Sequence, residues 1–487
     1  MSRLLSEQNK DKKLKLNFKL VMFLAAIAAV IIMTVIVKMV AVYENAPVEY
    51  IASLALFEAE QTEYAVEEVE DDDEETRARN EAWVRDIRFL ESNASFHPLL
   101  SPSEIWLHHF DTFVDHSSAP RRSPSMQNPE LRIEFASRIQ ELIQHVPMLE
   151  DYEILYSLLE ILSVLGDSHT SIAIPGGELF PLHITYIDNK YYVRRIHENY
   201  EHLLFSELTL INGVSVDFIF QQMKRIDTHE GEYMLRGMRL GFFIRKEFLS
   251  FIGVIESGSN EAVFTFVTQE GEIFNVNLTA ALTHNNLVDH TGTDGLLRAS
   301  RPEYNYWHEF LSEYGMMYIR YSSMHPMTEL PFAKFHESLI DDIQKIILSG
   351  GRIEKIVFDF RDNLGGASPP LRELTAFLDQ SPIDRFYILI NNQTYSAAVI
   401  AAIVFEGLLE NAMLVGEPAA QPPNFFAMDR IHATLPENGT TFMISRGWVY
   451  LRPEYEDDVL RPDIYIPRTL EAFINNRDLV LEAIKSW

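Results

Sequence analysis

Apolar residues follow two different periods along this chain. Between Pro129 and Leu165 they recur with helical spacing: Leu131, Phe135, Ile139, Leu142 and Ile143 make one face, and Ile154, Leu155, Leu158, Leu159 and Leu162 a second. That spacing predicts a helical layer. From Pro181 to Leu278 the pattern alternates, in LHITYI, YYVRRI, AVFTFVTQ and IFNVNL, with turn pairs Asp188-Asn189 and Glu270-Gly271 between, which predicts short strands. Within this stretch Glu207–Met223 reads as strand, tight Asn212-Gly213 turn, short strand and helix. Residues 281–312 are polar and turn-rich, as a linker would be. Gly315–Tyr321 then reads as a strand, Phe332–Leu348 as an amphipathic helix and Ile353–Phe360 as a buried strand, a βαβ unit that implies a parallel sheet. Phe386–Asn391 is a further buried strand, and Ala397–Leu409 is apolar nearly all round, so it should be a buried helix.

One apolar stretch is of another kind. Leu20–Val37 carries no charge and, continued through Met39–Tyr43, is long enough to cross a bilayer. Arg3, Lys10, Lys12, Lys13, Lys15 and Lys19 precede it, so the positive-inside rule puts the N-terminus in the cytoplasm and the rest outside. No A-x-A cleavage site follows, which favours an uncleaved anchor over a signal peptide. Glu58–Glu75 is a like-charge block that repels itself and reads as a solvated stalk or a charged helix leading away from the membrane. The expected organisation is a cytoplasmic tail (1–19), a transmembrane helix (20–42), an acidic stalk (43–79), a helical region (80–180), a β-rich domain (181–280), a linker (281–312) and an α/β core (313–487). A net charge of −30 argues against nucleic acid as a partner, and the absence of cysteine excludes disulfides, thiolate metal sites and a cysteine nucleophile. His284, His290 and His308 lack metal-ligand spacing, so no metal or other cofactor is expected.

The candidate chemistry gathers at element ends. Ser396 lies between a strand and a helix N-terminus, where free N–H groups and the helix dipole favour developing negative charge. Either it is a nucleophile or Ser396 or Thr394 caps the helix. His169, in Gly166-Asp167-Ser168-His169-Thr170-Ser171, falls in the turn between a helix and an extended segment, where its ring could face a cleft. The strand Ile353–Phe360 runs into Arg361-Asp362-Asn363-Leu364-Gly365-Gly366; paired glycines at the carboxyl end of a parallel strand let backbone N–H groups approach a substrate oxygen.

Four pieces, LGDSHTSI, INGVSV, FDFRDNLGG and NNQTYSAAVIAA with LVGEP, together resemble the S41 peptidases, the family of C-terminal processing and tricorn-core serine proteases. The likeness spans roughly Pro129 to Arg468, and Arg461-Pro462-Asp463-Ile464 matches that family's "PDI" strand. It implies a ClpP/crotonase-like α/β core with a PDZ-like β-rich insertion and no cofactor. It also implies a peptide or unfolded protein as substrate, with Ser396 as nucleophile and Ala397 and the Gly365-Gly366 turn as oxyanion donors. The Asn-Gly hairpin is similar to that of PDZ domains, without their carboxylate-binding glycine loop. No lysine lies between Lys355 and Lys485, so the Ser–Lys dyad of one branch is absent. The tricorn-like branch implies His169 as base and a glutamate near the PDI strand, matched to Glu456, with Glu454, Asp457 and Asp458 equally near in sequence. Ala419-Ala420-Gln421 replaces the usual Thr-Gly-Gly, and Val399 a frequent glutamate. These departures keep a catalytically silent, peptide-binding relative open, and a crotonase-like acyl-CoA enzyme would share the oxyanion logic.

Overall fold

A computed structural model describes residues 74–101, 105–109, 121–123, 128–452, 455 and 459–487. The expected tail, membrane helix and stalk up to Asp73 lie outside them, as do Glu454, Glu456, Asp457 and Asp458. Among the described residues no helix is long and apolar enough to cross a membrane.

Three helices open the fold: α1 (Glu74–Ala94), α2 (Pro129–His145) and α3 (Asp151–Ser163). α1 begins earlier than the stalk boundary at residue 79 implied, because Trp83, Ile87 and Leu90 bury a face that the charge block leads into. The Asn128 side chain accepts from Leu131 N and Pro129 starts α2, while Glu150 and Glu153 close a capping box on α3. These helices share one core with the seven-stranded β-rich sheet that follows. In that sheet Glu207–Ile211 turns through Asn212-Gly213 into Val214–Ser215, and Ser215 caps the helix Val216–Ile226, in the order read from the sequence. The helix Glu232–Met238 comes next.

The second core surrounds a six-stranded sheet: β1 (Tyr306–Leu311), β2 (Met316–Tyr321), β3 (Lys355–Asp359), β4 (Phe386–Ile390), β5 (Ala412–Gly416) and β6 (Ile464–Tyr465). Strand order in space equals strand order in the chain, antiparallel only at β1–β2. Helices α4 (Phe332–Leu348), α5 (Arg372–Asp379) and α6 (Ala397–Leu408) make the successive crossovers from β2 to β5. Right-handed crossovers that always step the same way place their helices on one face, and Leu339, Leu374 and Phe405 pack there against Ile319, Phe358 and Ile388. The alternate residues Tyr318, Val357 and Leu389 point to the other face, closed by the C-terminal helix Leu479–Ser486.

The linker expected at 281–312 is corrected. Leu287–Asp289 pairs with the β-rich sheet, and Tyr306–Leu311 is an edge strand of the central sheet with Tyr306 and Trp307 buried. Polar turns between the two strands dominated the local composition and hid both. Beyond β5 the hairpin Ile431–Thr434 and Thr441–Ile444 returns to the first core, where Phe442 and Met443 pair with Ile172 and Ser171.

Candidate active site

Two loops at the carboxyl ends of β3 and β4 build one wall. Asp359, at the end of β3, accepts from Arg361 Nε at 3.0 Å, Arg361 Nη2 at 2.6 Å and Tyr318 OH at 2.7 Å, with Arg320 Nη1 at 3.3 Å. Burial would raise its pKa, yet the two guanidiniums hold it well below the usual carboxylate range. Arg361 also donates to both oxygens of Asp478, at 2.7 and 2.8 Å. Asn363 then shapes the turn: its Nδ2 reaches Tyr321 O at 2.8 Å and its Oδ1 accepts from Gly365 N at 2.9 Å. The Gly365 N–H, expected as an oxyanion donor, is thus engaged within the loop. Among the described residues no acceptor engages Gly366 N–H. Gly365 lies flat against the serine, since a Cβ there would come 2.7 Å from Ser396 Cβ and 3.1 Å from Ala397 N.

The second loop carries Ser396. Its backbone sits at φ 54°, ψ −122°, a conformation that costs a non-glycine residue about 1–3 kcal/mol. Its side chain caps nothing; Thr394 Oγ1 instead donates to Phe360 O at 3.0 Å. The helix-cap reading therefore fails for both. Tyr395 N donates to Asn363 O at 3.0 Å, tying this loop to the glycine turn. Ser396 N donates to Gln421 Oε1 at 2.6 Å. Ala397 N is the first N–H of α6 and has no acceptor within the helix.

His169 arrives from the other core, held by its own turn. Asp167 accepts from His169 N at 2.8 Å and Thr170 Oγ1 at 2.5 Å, with His97 Nε2 3.3 Å from the same carboxylate. The ring, 2% exposed, stacks between Tyr395 and Phe425, at centroid distances of 4.8 and 5.8 Å. Its Nε2 lies 3.0 Å from Ser396 Oγ, although the two residues are 227 positions apart. Burial pushes the imidazole down to about 4, only partly offset by Asp167 and by a hydrogen bond to the Phe426 carbonyl. Where Nδ1 carries the proton, Nε2 turns its lone pair to the serine hydroxyl.

Behind the ring runs a chain of polar groups that sequence patterns did not mark. Tyr395 OH is 3.2 Å from His169 Nδ1 and 2.7 Å from Ser168 Oγ. Gln421 Nε2 donates to Ser168 Oγ at 3.1 Å and to Glu230 Oε1 at 3.0 Å, and Ser168 N reaches the same oxygen at 3.3 Å. Burial, then the nearby Asp167 charge, pushes the Glu230 carboxyl up to about 8. Ser168, Tyr395 and Gln421 neighbour recognisable motifs, but Glu230 comes from the β-rich region, where nothing in the sequence set it apart. Glu456 lies outside the described residues. Val399, in place of the frequent glutamate, is buried in α6.

No family model and no curated protein matches the chain. Solved structures do. Mature CPAF aligns over 84% of this chain and 96% of its own length at 12% identity, with a TM-score of 0.55. The complex of mature CPAF with lactacystin gives the same TM-score and identity over 98% of its length. The tricorn protease aligns over 74% of this chain and 34% of its own, at 14% identity and a TM-score of 0.37. This mixed α/β chain has the fold of mature CPAF.

Proposed function

We propose that the chain is a serine peptidase of S41 type that cuts peptides or unfolded protein segments through an acyl-enzyme on Ser396. The observation that carries this reading is the 3.0 Å contact between a neutral His169 Nε2 and the Oγ of a serine on a strained strand-to-helix turn. In the proposed reaction Ser396 Oγ attacks the scissile carbonyl carbon while His169 Nε2 takes its proton. The oxyanion that forms faces the N–H groups of Ala397 and Gly366. Imidazolium then gives its proton to the departing amine, and water, deprotonated by the same nitrogen, releases the acid. In this reading Tyr395 OH accepts from Nδ1–H, which leaves the Nε2 lone pair for the serine. The fold shared with mature CPAF, which has been solved with lactacystin, supports the assignment. Membrane attachment through Leu20–Val37, with the catalytic part outside the cytoplasm, belongs to the same proposal and rests on the sequence pattern.

Labelling of the full chain with a fluorophosphonate tests it. Wild type should label at one site, and Ser396→Ala and His169→Ala should each abolish labelling while melting as folded proteins. A folded wild type that neither labels nor cleaves unfolded casein would leave the silent, peptide-binding reading.

A further inference from the structure

A second use of this site follows from groups the peptidase reading leaves unbalanced. Asp167, His169 and Glu230 each present a ligand atom, all within 4.8 Å of one another. Two carboxyl groups thus face each other beside an imidazole. Asp167 is spoken for by Thr170, His97 and the His169 N–H. Glu230 is satisfied only at Oε1; its Oε2 is sealed from solvent and has no hydrogen-bond partner. A buried polar atom without a partner carries a desolvation penalty of about 1–3 kcal/mol, which a cation displacing the Glu230 proton from that oxygen would remove.

We propose that Asp167, His169 and Glu230 form an inhibitory site for a divalent transition-metal ion of the zinc class, resting on the reading of His169 as the base. One imidazole nitrogen with two carboxylates is a zinc-type donor set, whereas calcium and magnesium take oxygen ligands. Ligand atoms around zinc stand about 3.3–3.5 Å apart for bonds near 2.0–2.1 Å, so the three atoms, now within 4.8 Å of one another, would draw together around the ion. Inhibition does not depend on which ring nitrogen binds. Bound through Nε2, the metal occupies the lone pair that faces Ser396. Bound through Nδ1, it displaces that proton and leaves Nε2 protonated, so Nε2 can no longer accept one. Either way the serine loses its base, and a chelator restores it.

The test combines calorimetric titration of the full chain with ZnCl2 and fluorophosphonate labelling. One site should be at least tenfold weaker in Glu230→Gln and in Asp167→Asn, and undiminished in Ser396→Ala. Saturating Zn2+ should suppress wild-type labelling at least tenfold, reversed by EDTA and not reproduced by Mg2+ or Ca2+. Circular dichroism checks that the variants fold, and should both fail, competition between Zn2+ and the probe on wild type decides. Equal Zn2+ affinity in folded variants, or labelling untouched by saturating Zn2+, overturns the proposal. A wild type that never labels refutes the peptidase reading alone, because calorimetry still reads the metal site.

Discussion

Gly365→Ala isolates the closest approach in the site. The residue sits at φ 88°, where an L side chain costs about 1–2 kcal/mol. Its new methyl would lie 2.7 Å from Ser396 Cβ, 2.9 Å from Tyr395 O and 3.1 Å from Ala397 N. None of these is the far end of a flexible side chain, so overpacking adds about 1–3 kcal/mol, for a total of about 2–5 kcal/mol. The functional effect is a separate one, because the methyl stands against the Ala397 N–H. Loss of one oxyanion donor lowers the rate about 10²–10³-fold. Gly439→Ala is the matched control: its φ of 77° is similar, but a Cβ there meets nothing within 4 Å. It should lose about 1–2 kcal/mol and label at the wild-type rate. The assay is the second-order rate of fluorophosphonate labelling, with thermal melting of each variant alongside. If folded Gly365→Ala labels within threefold of wild type, the idea that this glycine clears the oxyanion site is wrong.

Three further outcomes follow. Because burial pushes the His169 pKa from 6.5 to about 4, the base stays neutral across mild acid; labelling should hold from pH 7 to about pH 5 and fall with a midpoint near 4, where an ordinary imidazole would lose it near 6.5. Glu230 has the opposite sign: its folded pKa of about 8 exceeds 4.5, so the folded state holds the extra proton between them and stability drains away as pH rises toward and through 8. Glu230→Gln, which cannot ionise, should therefore gain melting temperature relative to wild type at pH 9 compared with pH 6, and an equal difference at both would refute the linkage. Arg361→Met removes a guanidinium shared by two buried carboxylates, leaving Asp359 with Arg320 and Asp478 without its ion-pair partner, and should cost about 3–5 kcal/mol in chemical denaturation.

Much of the central sheet was legible because its pattern was strong. The uninterrupted apolar run of Ala397–Phe405 and the run before Arg361 could only be buried elements, and the ends of such elements in an α/β sheet are where ligands sit. His169 was legible as a candidate through its turn and the likeness to a family, not through periodicity. What the sequence hid were partners made by tertiary contact. Glu230 lies 62 residues from Ser168 and follows a helix whose only local signal is its own amphipathic face. Gly365 looked like a donor because glycine frees the backbone, yet Asn363, two residues before it, takes the N–H. Short-range side-chain hydrogen bonds of that kind depend on a rotamer, and a one-dimensional pattern carries no rotamers. Tyr306–Leu311 was missed because an edge strand of a mixed sheet need not alternate cleanly.

The reacting pair straddles a seam. His169 is attached to the apolar cluster of Leu165 and Ile172, whereas Ser396 is attached to that of Ala397 and Phe405. The returning hairpin stitches the two together through residues more than 250 positions downstream of the histidine. The first core is complete only when Leu435, Phe442 and Ile444 of the distant hairpin join it, a long-range closure. On the proposed mechanism, reactivity therefore requires both cores to be in place, since the serine and its imidazole belong to different ones. A nick in the hairpin's turn at Glu437-Asn438, whose N–H groups donate to Asp86 of α1, would therefore loosen the first core and, through it, the meeting of imidazole and serine.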